Sequence, residues 1–284
     1  MRWLAAAVAA LAALAACSGG RHVPLSRAAL PSTTGAVTST TAAVTSTTAA
    51  AAADDADGLA IQLVSVETAV RASSASDAEL GRLARLQQQV YRRLAHHPDW
   101  LGAVLDRTPP ALRAAVRANL TAQLELQALT PPRTDLPVWQ IERPAPAADL
   151  LRAYREGEAA SRVPWAYLAA IHFVETRMGR IHSPSTAGAV GPMQFLPSTW
   201  ATYGRGDINN DRDAILAAGR FLRAHGAPAA MASALFRYNP SPHYVRAITA
   251  YAEVIGDERA WLAYYHWPVL VRLVSGDVVL PDPA

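Results

Sequence analysis

Glu175 is the residue whose setting most suggests chemistry. Pro164 suits the first turn of a helix running from Trp165 toward Arg177. On that helix Leu168, Ile171 and His172 share a face. Glu175 falls on the same mainly apolar face, seven residues after Leu168 and four after Ile171. A carboxylate at a core position is costly unless it is partnered or protonated. Partial desolvation raises its pKa and keeps the proton on near neutrality, the state a general acid needs. Neutralisation by Arg177 or Arg180 is the structural alternative, because buried carboxylates are often simply paired.

Two further segments could surround that carboxyl group. Ser185 to Trp200 is a small-residue loop leading into a helix, with Gly188 and Gly191 permitting close backbone approach to a ligand. Within it Gln194 carries both a donor and an acceptor, a combination suited to sugar hydroxyl and acetamido groups. Further on, Ala234 to Val245 places Tyr238, Asn239 and Tyr244 near another helix start. Most glycosidases flank the scissile bond with two carboxylates. None of these three segments supplies a second acid beside Glu175.

Other candidate groups are weaker. Asp207, Asn209, Asp211 and Asp213 alternate as the start of a calcium loop would. Arg212 stands where that loop needs glycine, however, and Ala218 where it needs its bidentate glutamate. Asp213 reads instead as a cap for the next helix. His96 and His97 lack companion ligands at metal spacing. His172 reads as a packed residue. Trp200, Tyr203 and the run Tyr264 to Trp267 read as core aromatics before sugar platforms.

The elements that must position these groups are helical, and the expected class is mainly all-α. From Gly58 to about Thr130 the pattern is helical. Ser76-Asp77-Ala78-Glu79 is a capping box ahead of Leu80, Leu83, Leu86, Val90 and Leu94. His97-Pro98 stops that helix. Thr108-Pro109 starts another, with Leu112, Val116, Leu120 and Leu124 on one stripe. No chemistry is evident in this block, which reads as a helical spacer over 58–130. Pro131, Pro132, Pro137, Pro144 and Pro146 mark a Pro-rich linker over 131–147. The rest, 148–284, is again helical, with room for one short strand pair between Val269 and Leu280.

The N-terminus reads as a targeting segment. Arg2 is a positive n-region, Trp3 to Ala16 an apolar run too short to span a bilayer, and Leu14-Ala15-Ala16-Cys17 resembles a bacterial lipobox. Residues 1–16 would then be a lipoprotein signal peptide. Cys17, the only cysteine, would carry acyl chains that hold the protein to the outer face of the membrane. A lone cysteine also excludes an internal disulfide and a thiolate zinc site. Residues 17–57, with Val37 to Ala43 repeated as Val44 to Ala50, read as a disordered Ser/Thr/Ala-rich stalk. The net charge of +3 is too small to mark a nucleic-acid-binding protein but fits loose attraction to an anionic wall.

Three ordered motifs carry a resemblance to a known family. Glu175-Thr176-Arg177 with Gly179, then Gly191-Pro192-Met193-Gln194-Phe195, then Tyr238-Asn239 followed by Tyr244-Val245, resemble the catalytic domain of lytic murein transglycosylases. The likeness is closest to the B-type membrane-bound branch, in which threonine follows the catalytic glutamate, and it covers roughly residues 149–253. It implies a lysozyme-like fold for 148–284 and peptidoglycan glycan strands as substrate. By position it makes Glu175 the acid/base and Ser185 a hydroxyl at the reaction centre. It places Gly191, Met193, Gln194 and Phe195 in a sugar-binding cleft wall, Tyr238 and Asn239 beside the glutamate, and Tyr244 closing the wall. No cofactor is implied. Cell-wall proteins docking on 58–130 are the remaining expected partners. A water-using lysozyme-type hydrolase and a non-catalytic wall-binding lipoprotein are the competing readings.

Overall fold

The computed structural model describes residues 51–72 and 75–280, together with residue 283. The signal segment, Cys17 and the repeats of the stalk lie outside the described residues. Among those described, eleven α-helices and one two-stranded sheet are present, so the chain is mainly helical. None of these helices is long and apolar enough to cross a membrane.

The first block holds α1 (Ala56–Arg71), α2 (Asp77–His96), a 3-10 turn (Pro98–Trp100), α3 (Leu101–Arg107) and α4 (Pro110–Leu129). Helix α1 begins inside the segment expected to be stalk. Asp55 accepts a hydrogen bond from the Gly58 amide and caps it, while Ala53 donates its N–H to Gln62. The first helix therefore begins just before the expected boundary at 57. Ser76 caps α2 as the capping-box pattern predicts, accepting from the Glu79 amide at 3.3 Å. Helix α4 starts with Pro109 at the cap position and Pro110 at its first residue, where a missing N–H costs nothing.

The second block holds α5 (Ala147–Ser161), α6 (Trp165–Thr176), α7 (Pro197–Tyr203), α8 (Asp211–Ala224), α9 (Met231–Tyr238), α10 (Pro242–Ile255) and α11 (Glu258–Tyr265). It closes with β1 (Val269–Leu273) and β2 (Gly276–Leu280), an antiparallel hairpin in which Leu273 faces Gly276. Asn210, rather than Asp213, caps α8. Its side chain accepts from the Asp213 amide, and the Asp213 carboxylate instead turns back to accept from the Asp207 amide.

The two blocks do not keep separate cores. Helix α4 packs along α10, α6 also packs on α10, and α5 lies on α8. One apolar cluster runs without a break from Leu59, Leu63 and Val116 through Leu168 and Ile171 to Tyr264 and Trp267. The region expected as a spacer is thus bedded into the region expected to carry the site. The Pro-rich join between them is stitched down at both ends. Arg133 donates to the Arg272 carbonyl and accepts from the Val274 amide, while Glu142 donates to the Arg180 carbonyl and His182 to that of Gln140.

A buried acid ties the first block together. Glu67 on α1 accepts from Tyr91 (2.7 Å) and Gln87 (2.8 Å) on α2 and pairs with Arg71. With a cation and two neutral donors this carboxylate is fully satisfied, as buried charges must be.

Candidate active site

Helix α6 is buried on every face, which follows from its composition: apart from Thr176, only His172 and Glu175 interrupt an apolar sequence. His172 is packed. Its Nδ1 shares a hydrogen bond with the Tyr154 hydroxyl (2.7 Å), and its Nε2 lies 3.2 Å from Asp211. The helix ends sharply. Arg177 and Met178 both take left-handed backbone angles, and Gly179 follows at φ +82°, where a Cβ would stand 2.7 Å from the Asp211 carboxylate. Thr176 locks the turn to the next segment by donating to the Pro192 carbonyl (2.6 Å) and accepting from the Gly179 amide.

Glu175 is only 8% exposed. Unlike Glu67, it has no cationic partner among the described residues. Its Oε1 accepts from the Tyr244 hydroxyl at 2.8 Å, and its Oε2 is buried without a partner. Burial pushes its pKa up to about 7, and the Tyr244 hydrogen bond opposes only part of that rise. Arg177 does not neutralise it: that guanidinium lies over the Phe173 ring and donates to the Phe173 carbonyl. Arg180 donates to the Arg177 carbonyl and stands over the Tyr265 ring.

Glu175, Ser185 and Gln194 line two cavities at once. The larger, about 180 Å³, extends toward α2, α4, Trp139 and the hairpin. The smaller, about 70 Å³, extends toward Phe195, Thr199, Phe221, Arg237, Tyr238 and Asn239. Glu175 therefore stands where the two cavities meet, and among the described residues no other Asp or Glu lines either of them.

The loop from Ser185 to Phe195 is held by its own backbone. Val190 and Phe195 exchange both amide hydrogen bonds around a turn in which Gly191 (φ +75°) and Gln194 (φ +48°) are left-handed. A Cβ on Gly191 would stand 2.1 Å from the Ile208 carbonyl, so glycine is required there. The Ser185 hydroxyl oxygen accepts from the Ala189 amide (3.0 Å), which leaves its proton to donate. Gln194 departs from the expectation that it offers both a donor and an acceptor. Its Nε2 is spent on the Gly191 (3.0 Å) and Ser183 carbonyls, so only its Oε1 is left for a ligand.

Tyr238 and Tyr244 lie parallel, ring centres 6.4 Å apart, and Tyr238 donates to the Met193 carbonyl at 2.6 Å. The structure thus brings Glu175, Ser185, Gln194, Phe195, Tyr238 and Asn239 to the cavity walls. Tyr244 is fully buried and reaches the site through its hydroxyl alone. Met193 corrects the expectation: its side chain is in the core and lines neither cavity, because the tight turn directs it inward and leaves its carbonyl to hold Tyr238. Gly191 likewise shapes the turn and lines neither cavity.

Sequence reasoning missed half of the larger cavity. Gln88 and Arg92 on α2, and Gln123, Gln127 and Thr130 along α4, all line it. Their helical spacing was a readable signal: polar side chains recur at i, i+4 and i+7 on helices that bury their other face. No family model, curated protein or solved structure matches this chain.

Proposed function

We propose that the protein is a peptidoglycan lytic transglycosylase, with a lysozyme-like catalytic region and Glu175 as its single acid/base. The observation that carries the reading is the unpaired, desolvated carboxyl group of Glu175 at the junction of two cavities. A glycan strand lying through both would present one glycosidic bond to it. With Oε1 held by Tyr244, the transferable proton sits on Oε2. Glu175 gives that proton to the bridging oxygen between MurNAc and GlcNAc, and the C1–O bond breaks. The oxocarbenium-like centre is stabilised by the substrate's own 2-acetamido group. The resulting carboxylate accepts the proton of the C6 hydroxyl on the same MurNAc, whose oxygen bonds to C1 and closes a 1,6-anhydro ring.

Among the described residues no second acid lines the cavities, which favours this route over hydrolysis. An intramolecular nucleophile already near C1 needs no carboxylate to position water. Ser185 can donate to the substrate, and the Gln194 Oε1 can accept from a sugar hydroxyl or acetamido N–H. The same proposal includes export, anchoring through acylated Cys17, and a tether that lets the enzyme reach wall material around its anchor.

Mass spectrometry of digested peptidoglycan tests the reaction. Products lighter by one water than the hydrolysis products, lost in the Glu175→Gln variant, are expected. Reducing ends in their place would make the protein a hydrolase, and intact strands would make it a binding protein.

A further inference from the structure

The larger cavity has a composition that the cleavage reaction does not use. Four arginines line it: Arg92 from α2, Arg133 from the Pro-rich join, Arg177 from the end of α6 and Arg272 from β1. They are brought together by the fold. Arg133 and Arg272 are neighbours through the backbone bond from the Arg133 amide to the Arg272 carbonyl (2.9 Å), and Arg92 donates to Asp277, which faces Arg272 in the hairpin. Asp277 is the one carboxylate partner that any of the four has among the described residues. Arg272 is otherwise tied to the Thr130 and Gln127 carbonyls, Arg133 to that of Asp135, and Arg177 to that of Phe173.

A second feature of the same wall points to a ligand. Gln123, nine-tenths buried, has neither side-chain amide atom hydrogen-bonded, and the Gln127 Nε2 and Thr130 Oγ1 are also without partners. Buried donors and acceptors left unmade are costly, so native proteins seldom keep several together without use. The crowding of like charges agrees. Burial first, and Arg92 next, hold Arg272 below its usual range, which an arriving anion would relieve.

We propose that this cavity is a subsite for a carboxylate-bearing peptide, bound between the four arginines and the polar face of α4. Resting on the reading above, that peptide is the acidic side peptide of the glycan being cut. Arginine forks match carboxylates, while Gln123, Gln127 and Thr130 match peptide N–H and C=O groups. The arrangement would orient the strand so that a peptide-bearing sugar lies on the side of Glu175 facing α4.

The test reads binding and reaction separately. Calorimetry of the full chain with N-acetyl-L-alanyl-D-glutamate, and with its dimethyl ester, measures the subsite whatever the enzyme does to glycan. The acid is expected to bind and the ester to bind at least about tenfold more weakly. Arg133→Gln is expected to lose a similar factor for the acid, and Arg133→Lys to restore part of it. Equal binding of acid and ester, or no binding of either at millimolar concentration, overturns the proposal. Cleavage rates on peptide-bearing and peptide-stripped strands give the second arm. A preference for peptide-bearing strands that Arg133→Gln erases supports the subsite. Anhydro products formed without that preference refute the subsite and leave the transglycosylase reading standing. Acid-selective binding with reducing-end products does the reverse.

Discussion

The Tyr244 hydroxyl, from the first turn of α10, donates to Oε1 of Glu175 at 2.8 Å, and that is the only hydrogen bond the carboxyl group makes among the described residues. The bond orients the group, leaves the buried Oε2 without a partner, and favours the ionised form against the burial that disfavours it. Removing it should therefore act on both orientation and acidity. Tyr244→Phe is expected to move the alkaline limb of the pH–rate profile upward from about 7, by about one unit, since hydrogen bonds to charged groups contribute about 1.5–3 kcal/mol. The maximal rate should fall because the donor is no longer held in line. A pH–rate profile on purified peptidoglycan checks it, and an unchanged limb would contradict the assigned role.

In the wild type, activity should require the protonated carboxyl group and so decline as pH rises through about 7. Glu175→Gln should cost at least about a hundredfold below pH 7, within the range of general acid catalysis, with the gap to wild type narrowing as pH rises above that value. Turbidity clearance of cell-wall suspensions followed between pH 5 and pH 9 would show both effects.

The same group sets a stability trend of unusual sign for a carboxylate. Its folded pKa lies above its unfolded one, about 7 against 4.5, so the folded state holds the proton more tightly. The stabilisation is fully present below the unfolded value and is lost as pH rises through the folded one. That difference corresponds to roughly 3 kcal/mol. Urea denaturation should find Glu175→Gln clearly more stable than wild type at pH 8 and close to it at pH 4.5.

Gly191→Ala should damage the site without touching a catalytic group. Its φ of +75° and the 2.1 Å approach of a Cβ to the Ile208 carbonyl force the turn to open, at a cost of roughly 1–3 kcal/mol for the backbone alone. Activity should fall at least tenfold while the fold persists, as thermal unfolding by circular dichroism and a rate assay on the same sample would reveal.

Leu120→Ala on α4 should destabilise the whole molecule by roughly 2–5 kcal/mol, because the leucine is buried in a core shared by both blocks. Calorimetric scanning should give one transition that shifts as a unit. Two transitions, only one of them moved, would mean that the blocks unfold independently.

Much of the candidate site was legible because it is local. Pro164 marked the start of α6, and helical spacing placed Glu175 among apolar residues, where the structure has it. The capping box at Ser76 and the closing strand pair were equally local signals. Met193 was misread because a turn with two left-handed residues reverses which side chains face inward, and nothing in the residue types of 191–195 fixes that direction. The arginine-lined half of the larger cavity was hidden for a different reason. Arg92, Arg133 and Arg272 lie far apart in sequence and meet through tertiary pairings, namely Arg92 with Asp277 and the Arg133 amide with the Arg272 carbonyl. The polar residues of α2 and α4 that line the cavity gain their setting only from the hairpin, whose Arg272 donates to the Gln127 and Thr130 carbonyls.

Helix α4 serves two masters. One side of it beds α10, which carries Tyr244, and another presents Gln123, Gln127 and Thr130 to the cavity. The N-terminal half is consequently no interchangeable module. Replacing it to retune what the cavity accepts would also disturb the bed of α10, and with it the hydrogen bond that Tyr244 makes to Glu175.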